Sequence, residues 1–349
     1  MVAQYPGGNN TFVPNMDASG NLAVSFTRNV KDFALNSYVQ IIPSKKTRGL
    51  YLNLTAEEAA RLISSNGAQF AWADGVNAPA GFDGTESFEW LEYLCKRRAY
   101  PVFLGDMAAD QADFPITDAH LAIKAQQAMS DRTLEVVTAL TTTGNYASSN
   151  YSAVSSISGN TGKWDASTTA RADIKRSLNY AISQIKKSTL GVVKTKDLVL
   201  VIGVGTARAI AESQELIDHV KQSPDALAQF RGELPGRNLE FGLPDRLYGV
   251  EVIVEDAVKV TSAKGATLAN GYIFPASTAV LCSRVGALVG AGGAPNFSTV
   301  ALFCYAGDDM AVETKHNVDD RRWEARIVDT RVAKVIAPAS GFVFTATDN

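Results

Sequence analysis

The sequence predicts an α+β protein organised around one long helix, and three observations carry this. Over residues 117–140, Leu121, Ala125, Ala128, Met129, Val136, Val137 and Leu140 recur on a single helical stripe. At about 1.5 Å per residue this makes a rod of roughly 36 Å, well beyond the three-turn average. Segments of period-two alternation precede it, and strand-like runs dominate the C-terminal part of the chain.

The 349 residues suggest two domains, or one with large excursions. Hydrophobic residues at 46% and charged residues at 20% are ordinary for a packed chain and too apolar for a disordered one. The net charge of −3 argues against a surface given over wholly to nucleic acid. No run of apolar residues is long enough for a membrane span, and MVAQYPGGNN lacks the pattern of a signal peptide. Cys95, Cys282 and Cys304 have no zinc or disulfide spacing, which fits a reducing compartment.

Residues 1–33 read as an arm, because Gly7, Gly8, Pro14 and Gly20 break any periodicity. Such a segment is tied down only by something outside it. Residues 34–105 read as hairpins and short turns. A strand over 38–42 ends at Pro43, a polar turn over 44–49 follows, and Leu50, Leu52 and Leu54 alternate with Tyr51 and Asn53. Thr55 and Glu58 form a capping box opening a short helix with Leu62 and Ile63 on its face. Residues 73–87 are loose and hold only Val76 and Phe82 as sizeable apolar anchors. Phe88 and Trp90 then flank Glu89 at period two.

Thr117 is the expected cap of the long helix, Asp118 favours its first turn, and Gly144 supplies the stop. Residues 143–163 are rich in Ser, Thr, Asn and Gly and read as a loop or disordered link. A second helix carries Ile174, Leu178, Ala181, Ile182 and Ile185 on one face. A buried strand over 198–202 leads to a third helix over 206–221. Strands recur at 250–254, 279–282, 300–303 and 311–314. Near the end, Trp323, Ala325 and Ile327 alternate with Arg322, Glu324 and Arg326, which places the first three on a core face. The alternation slips after Val328, so a bulge or change of face is expected there. Pro338 closes this strand.

No constellation points to catalysis. Gly203 and Gly205 lie between a strand and a helix, but Arg208 stands where a dinucleotide turn needs a small residue. An ordinary strand-to-helix turn is the preferred reading. The glycine-rich run 286–293 lacks a P-loop lysine. Asp106, Asp110, Asp113, Asp118 and His120 have no calcium-loop spacing and read as a solvated or subunit-facing acidic patch. His316 with Asp319 and Asp320 has no nucleophile motif beside it. His219 sits near a helix end, where partial charge is favourable anyway. The chain is therefore read as no enzyme, with no catalytic, metal or cofactor residues. Basic residues gather at Lys96, Arg97 and Arg98, and on a helix face with Arg171, Lys175, Arg176, Lys186 and Lys187. Glu86, Glu89, Glu92 and the aspartates oppose them. Opposite charges on separate segments suit pairing between subunits, with solvated faces as the alternative.

Four stretches carry a family resemblance: residues 36–41 through 49–52, residues 200–203 with the following helix, residues 247–257, and residues 321–326 through 337–339. In this order they resemble the major capsid protein of tailed bacteriophages, whose fold is shared with encapsulin shells and the herpesvirus capsid floor. The order is specific and the letters are loose. The resemblance implies an N-terminal arm at 1–33, an extended loop region at 34–111, and the spine helix with peripheral domain at 112–165. It places the axial domain at 166–296 and the peripheral C-terminal strands at 297–349. It implies an icosahedral head enclosing double-stranded DNA, assembled in the host bacterial cytoplasm and located in the virion. The chain's partners are then itself, as pentamers and hexamers, a portal protein, a separate scaffolding protein and the packaged DNA through non-specific contacts. Decoration proteins are left open, and no membrane is involved. Expected assembly-interface residues are Lys45, Lys46, Arg48, Val76, Phe82, Lys96, Arg97, Arg98, Asp106 and Asp110. Some family members cross-link Lys to Asn between subunits. Lys45, Lys46 and Asn317 match no such motif here, and no catalytic Glu is identified. An encapsulin-type compartment is the runner-up, and a nucleotide-dependent enzyme a remote third.

Overall fold

The computed structural model describes residues 28–53, 74–75, 89–107, 116–165, 173–222, 238, 241–263, 265–284 and 298–348. The expected helix after Thr55, the loop anchors Val76 and Phe82, the acids Asp110 and Asp113, the 286–293 run and residues 1–27 of the arm lie outside the described residues.

Two sheets and one helix between them make the architecture. The six-stranded sheet runs in the order β5 (Tyr151–Ala153), β15 (Phe342–Thr345), β11 (Thr278–Ser283), β6 (Leu198–Gly203), β8 (Val250–Glu255) and β7 (Arg246–Leu247). Its central strands are apolar on both faces, as strands covered on both sides must be. Leu198, Leu200 and Ile202 of β6 face a core shared with α3 (Ile174–Ser188), α4 (Val204–Ala211) and α5 (Gln214–Gln222). Val199 and Val201 face the opposite core, with α1 (Leu35–Tyr38) and α2 (Ile116–Thr141). All five apolar residues expected on the second helix, Ile174, Leu178, Ala181, Ile182 and Ile185, are buried. The third helix is two: α4 ends at Ala211, and Ser213 separates it from α5.

The five-stranded sheet runs β1 (Gln40–Ser44), β12 (Val300–Tyr305), β14 (Arg322–Val335), β13 (Ala311–Asn317), with β4 (Lys96–Gly105) also paired to β14. Pro43 does not end the first strand. It sits within β1, opposite Cys304, and a strand at the sheet edge tolerates the missing N–H. Nor does this strand form a hairpin with the next. β1 pairs in parallel with β12, while β2 (Arg48–Asn53) pairs antiparallel with β3 (Glu89–Leu94) as a separate ribbon. Tyr93 stacks on Phe303 at 4.4 Å and Tyr51 lies 5.7 Å from the same ring, so aromatic packing seats the ribbon's base on β12. A short hairpin, β9 (Val258–Val260) with β10 (Asn270–Tyr272), completes the strands.

The sheets do not follow the expected segment bounds at 165/166 and 296/297. β5 precedes the first bound and β15 follows the second, yet both belong to the six-stranded sheet. Residues 143–163 are no loose link. Three 3-10 turns and β5 order them, and Asn150, Val154, Ile157 and Asn160 are buried.

The terminal strand corrects two expectations. No bulge follows Val328: the register with β4 is unbroken from Arg322 opposite Gly105 to Arg331 opposite Lys96. Nor does the strand change face. Ala325, Ile327, Asp329 and Arg331 keep one parity and all four are buried; Val328 and Thr330 of the other parity are buried as well, so from Ile327 to Arg331 both faces are covered. The apolar alternation is interrupted because the inward face takes charge there. Trp323 shares this parity but is 45% exposed. It lies near the strand's outer end, beside His316 with ring centroids 4.8 Å apart, and is not a core residue. Trp323→Ala is therefore expected to cost about 1 kcal/mol or less, and Ile327→Ala about 2–5 kcal/mol. Urea unfolding of the two variants checks this; a larger loss for Trp323→Ala would show that the cover over this end had been misread.

Candidate functional site

The α2 helix has two working faces. Met129, Val136, Val137 and Leu140 pack against the six-stranded sheet and against Val300, Leu302 and Cys304 of β12. Turned from that stripe, Asp131, Arg132 and Glu135 meet β14. Arg132 grips Asp329 with two bonds, Nε to Oδ2 and Nη2 to Oδ1, each 2.8 Å. Arg331 pairs with the same aspartate and also donates to Asp131 at 2.8 Å and Glu135 at 3.1 Å. Arg132 also pairs with Asp309, and Arg98 of β4 pairs with Glu135. Asp329 and Arg331 are 0% exposed and Arg132 4%. Burial opposes charge on both guanidiniums, yet the surrounding carboxylates outweigh it and raise both pKa values. Tyr100, donating to Asp131 at 2.7 Å, is pushed up to about 12 by its burial and by that bond.

Among the described residues, four of the expected assembly residues also have partners within the chain. Arg98 is paired inside the chain, Arg97 binds Asp308 at 2.8 Å, and Arg48 binds Glu92 at 2.9 Å across the ribbon. Lys45, Lys46 and Lys96 are exposed. Asp106 pairs with His316 at 3.1 Å, so His316 finds its carboxylate on β4's end rather than at Asp319 or Asp320. The network itself was missed in the sequence. Its one signal is the charged pair 329 and 331 at parity-inward positions of an otherwise apolar face.

A second buried charge lies where α1 meets the sheet. Glu255, 0% exposed at the end of β8, accepts from the Tyr38 hydroxyl at 2.8 Å and from the Ala257 N–H at 3.2 Å. Next to it Arg28 bonds Asp256 at 2.8 Å.

The G-x-G turn is closed by the chain's own C-terminal segment. The Asp348 carboxylate stands 3.4 Å from where a Cβ on Gly205 would lie, and Thr206 hydrogen-bonds Thr347 at 3.1 Å. Among the described residues no group of His, Cys, Asp and Glu is arranged to hold a metal ion, and no helix is long and apolar enough to cross a membrane. The three cysteines are buried thiols, and burial pushes Cys282 and Cys304 up to about 12.

Glu255 gives the region a pH signature. Burial holds its carboxyl above the ordinary value near 4.5, despite the bonds from Tyr38 and Ala257. The folded state then binds this proton more readily than the unfolded chain does. Its contribution to stability is full below about pH 4.5 and is lost as pH rises through the folded value. Glu255→Gln is expected to gain in melting temperature relative to the parent between pH 4.5 and pH 7, whatever constant offset the amide adds. Parallel melting curves across that window would contradict the assignment.

No protein-family model matches the sequence, and no curated protein matches it. Solved structures do. A phage-related protein of Bordetella bronchiseptica RB50 aligns over 92% of this chain and 93% of its own, with a TM-score of 0.59 at 14% identity. The capsid of an empty GTA particle aligns over 95% and 98%, with a TM-score of 0.56 at 13% identity. A protein of Mycobacterium phage Bobi aligns over 93% of each chain, with a TM-score of 0.51 at 12% identity. The likeness spans nearly the whole chain, and the chain has the phage major capsid fold.

Proposed function

We propose that this chain is a structural capsid subunit, many copies of which close an icosahedral shell around double-stranded DNA. The observation that carries the reading is the fold match to the capsid of an empty GTA particle, which leaves only a few per cent of either chain unaligned. The filled G-x-G turn supports it, because Asp348 and Thr347 occupy the ground a nucleotide phosphate would need. In this reading the subunit is no enzyme. Residues 34–111 form the extended loop region and 112–165 the spine. Residues 166–296, joined by β5 and β15 in the six-stranded sheet, surround the capsomer axis, and the rest of 297–349 braces the periphery. Exposed Lys45, Lys46 and Lys96, together with Val76, Phe82 and Asp110, meet neighbouring copies in pentamers and hexamers. A portal, a separate scaffolding protein and the packaged DNA complete the partners, decoration proteins remain optional, and the shell forms in the host bacterial cytoplasm before becoming part of the virion. Shell closure repeats many modest contacts, so a small deficit in each subunit multiplies over the lattice.

The test is electron microscopy of particles purified from cells making the chain with its phage partners, together with nuclease-protected nucleic acid. Closed shells holding double-stranded DNA are expected. Empty or protein-filled shells would favour an encapsulin-type compartment, and monomers alone would overturn the reading. Replacing residues 73–87 by a Gly-Asn turn should leave circular dichroism near the parent's and strongly reduce shells. Normal shells from that variant would remove the extended-loop role from this segment.

A further inference from the structure

The helical layer on one face of the six-stranded sheet carries two unlike patches at opposite ends. At one end, α3 finishes with exposed Lys186 and Lys187 and turns through Leu190 and Gly191, both left-handed at φ 53° and 78°. The turn is fixed by backbone bonds from Gly191 to Lys186 at 2.8 Å and from Val192 to Thr189 at 3.1 Å. It holds Leu190 at 45% and Val192 at 52% exposure. Not one acidic residue occurs in the 15 residues of α3. Among the described residues, neither Lys186 nor Lys187 has an ion-pair partner in the chain. Lysines at a helix C-terminus are favoured by the helix dipole alone, but that does not account for two exposed aliphatic side chains beside them.

The other end is the α4–α5 corner. Glu215 of α5 accepts from the N–H groups of Ile174 and Lys175 at 2.6 and 3.1 Å, so α5 abuts the N-terminus of α3. That contact lies roughly 22 Å along α3 from the lysine patch. Glu212, just after α4, and Ile217 and Asp218 of α5 are exposed, as are Arg208 and Lys175.

We propose that the Lys186, Lys187, Leu190 and Val192 patch docks on the Glu212, Ile217 and Asp218 corner of a second copy of this chain. Glu212 and Asp218 answer Lys186 and Lys187 in charge, although Arg208 and Lys175 are also exposed near the acidic corner; each patch includes an exposed apolar side chain, and the two lie at opposite ends of one layer. A contact of this kind is head-to-tail, and head-to-tail contacts repeated around an axis close a ring where the rotation between copies divides the full turn. Charge placed this way sets register and rejects the wrong neighbour. The inference rests on the shell reading and names the partner surface within the ring. A nucleic-acid occupant of the lysine patch is disfavoured, because exposed Leu190 and Val192 add nothing to phosphate binding.

The experiment uses four full-length chains: the parent, Lys186→Glu with Lys187→Glu, Glu212→Lys with Asp218→Lys, and all four substitutions together. Sedimentation reads assembly, nuclease-protected nucleic acid reads packaging, and melting temperature reads the fold. Each charge-reversed pair should lower assembly about tenfold or more through like-charge apposition, and the fourfold chain should recover it. The neutral pair Lys186→Gln with Lys187→Gln should show a smaller loss in the same direction, which keeps the test informative if a reversal harms folding. Normal assembly of either reversed pair, or failure of the folded fourfold chain to recover, would overturn the contact. Normal assembly with less packaged nucleic acid would assign the lysine patch to nucleic acid instead. Shells from the parent that ignore the reversals sink only this contact. Rings that respond to charge, from a parent that never closes shells, sink only the shell reading. A parent that stays monomeric overturns both.

Discussion

Arg132 reaches Asp329 from the long helix while Arg331 reaches the same carboxylate from within the strand, and both guanidiniums are stripped of water. Removing charge from water is costly unless each ion keeps its partners. Here the partners come from two elements. Asp131 and Glu135 belong to α2, Asp329 to β14, and neither set satisfies the arginines alone. Apolar packing between helix and sheet tolerates small slides and rotations, because it is non-directional. The bidentate grip of Arg132 on Asp329 does not, because two parallel bonds fix both distance and angle. Helix register on the strand is therefore set by ions, and the apolar stripe supplies the adhesion.

This joint matters because α2 is shared. One face packs on the six-stranded sheet and on β12, and its charged face meets β14 of the five-stranded sheet. β14 in turn pairs with β4, β13 and β12, so a displacement of the helix would be felt by four strands. The β2–β3 ribbon is seated on the same sheet through Tyr51, Tyr93 and Phe303. Under the proposed shell function, weak repeated contacts add only if the segments that make them project from a fixed frame of this kind.

Local patterns were legible in the sequence where local physics decides them. The α3 face, the two-faced apolar strand β6 and the long helix follow from period and hydrophobicity; the structure buries the residues expected on α3 and β6, and on the long helix buries Ala128, Met129, Val136, Val137 and Leu140 while Leu121 and Ala125 are half-buried. Non-local choices were not. Residues 40–44 pair with residues 300–305 across most of the chain, so Pro43 read as a strand end when it is an edge position. Trp323 had the right parity but lacked the cover, which must come from elements distant in the sequence rather than from the strand's own letters. Residues 143–163 are polar in composition, yet Asn150 and Asn160 are buried because backbone carbonyls of distant and local turns take their amide protons. The ion network left a trace that was misread. Asp329 and Arg331 broke the apolar alternation, and a bulge is the simpler local explanation until a helix bearing complementary charge is placed against that face.

The most direct measurement is a double-mutant cycle between α2 and β14, with Arg132→Met, Asp329→Leu and the pair combined, read by urea unfolding. If ions fix the helix on the strand, each single change takes one partner from a buried ion of the network and costs about 3–5 kcal/mol. The combined change removes both charges together and should cost less than the sum by about 1–3 kcal/mol. Losses that add to within about 0.5 kcal/mol would contradict the claim, because they would mean that the two residues stabilise the fold independently.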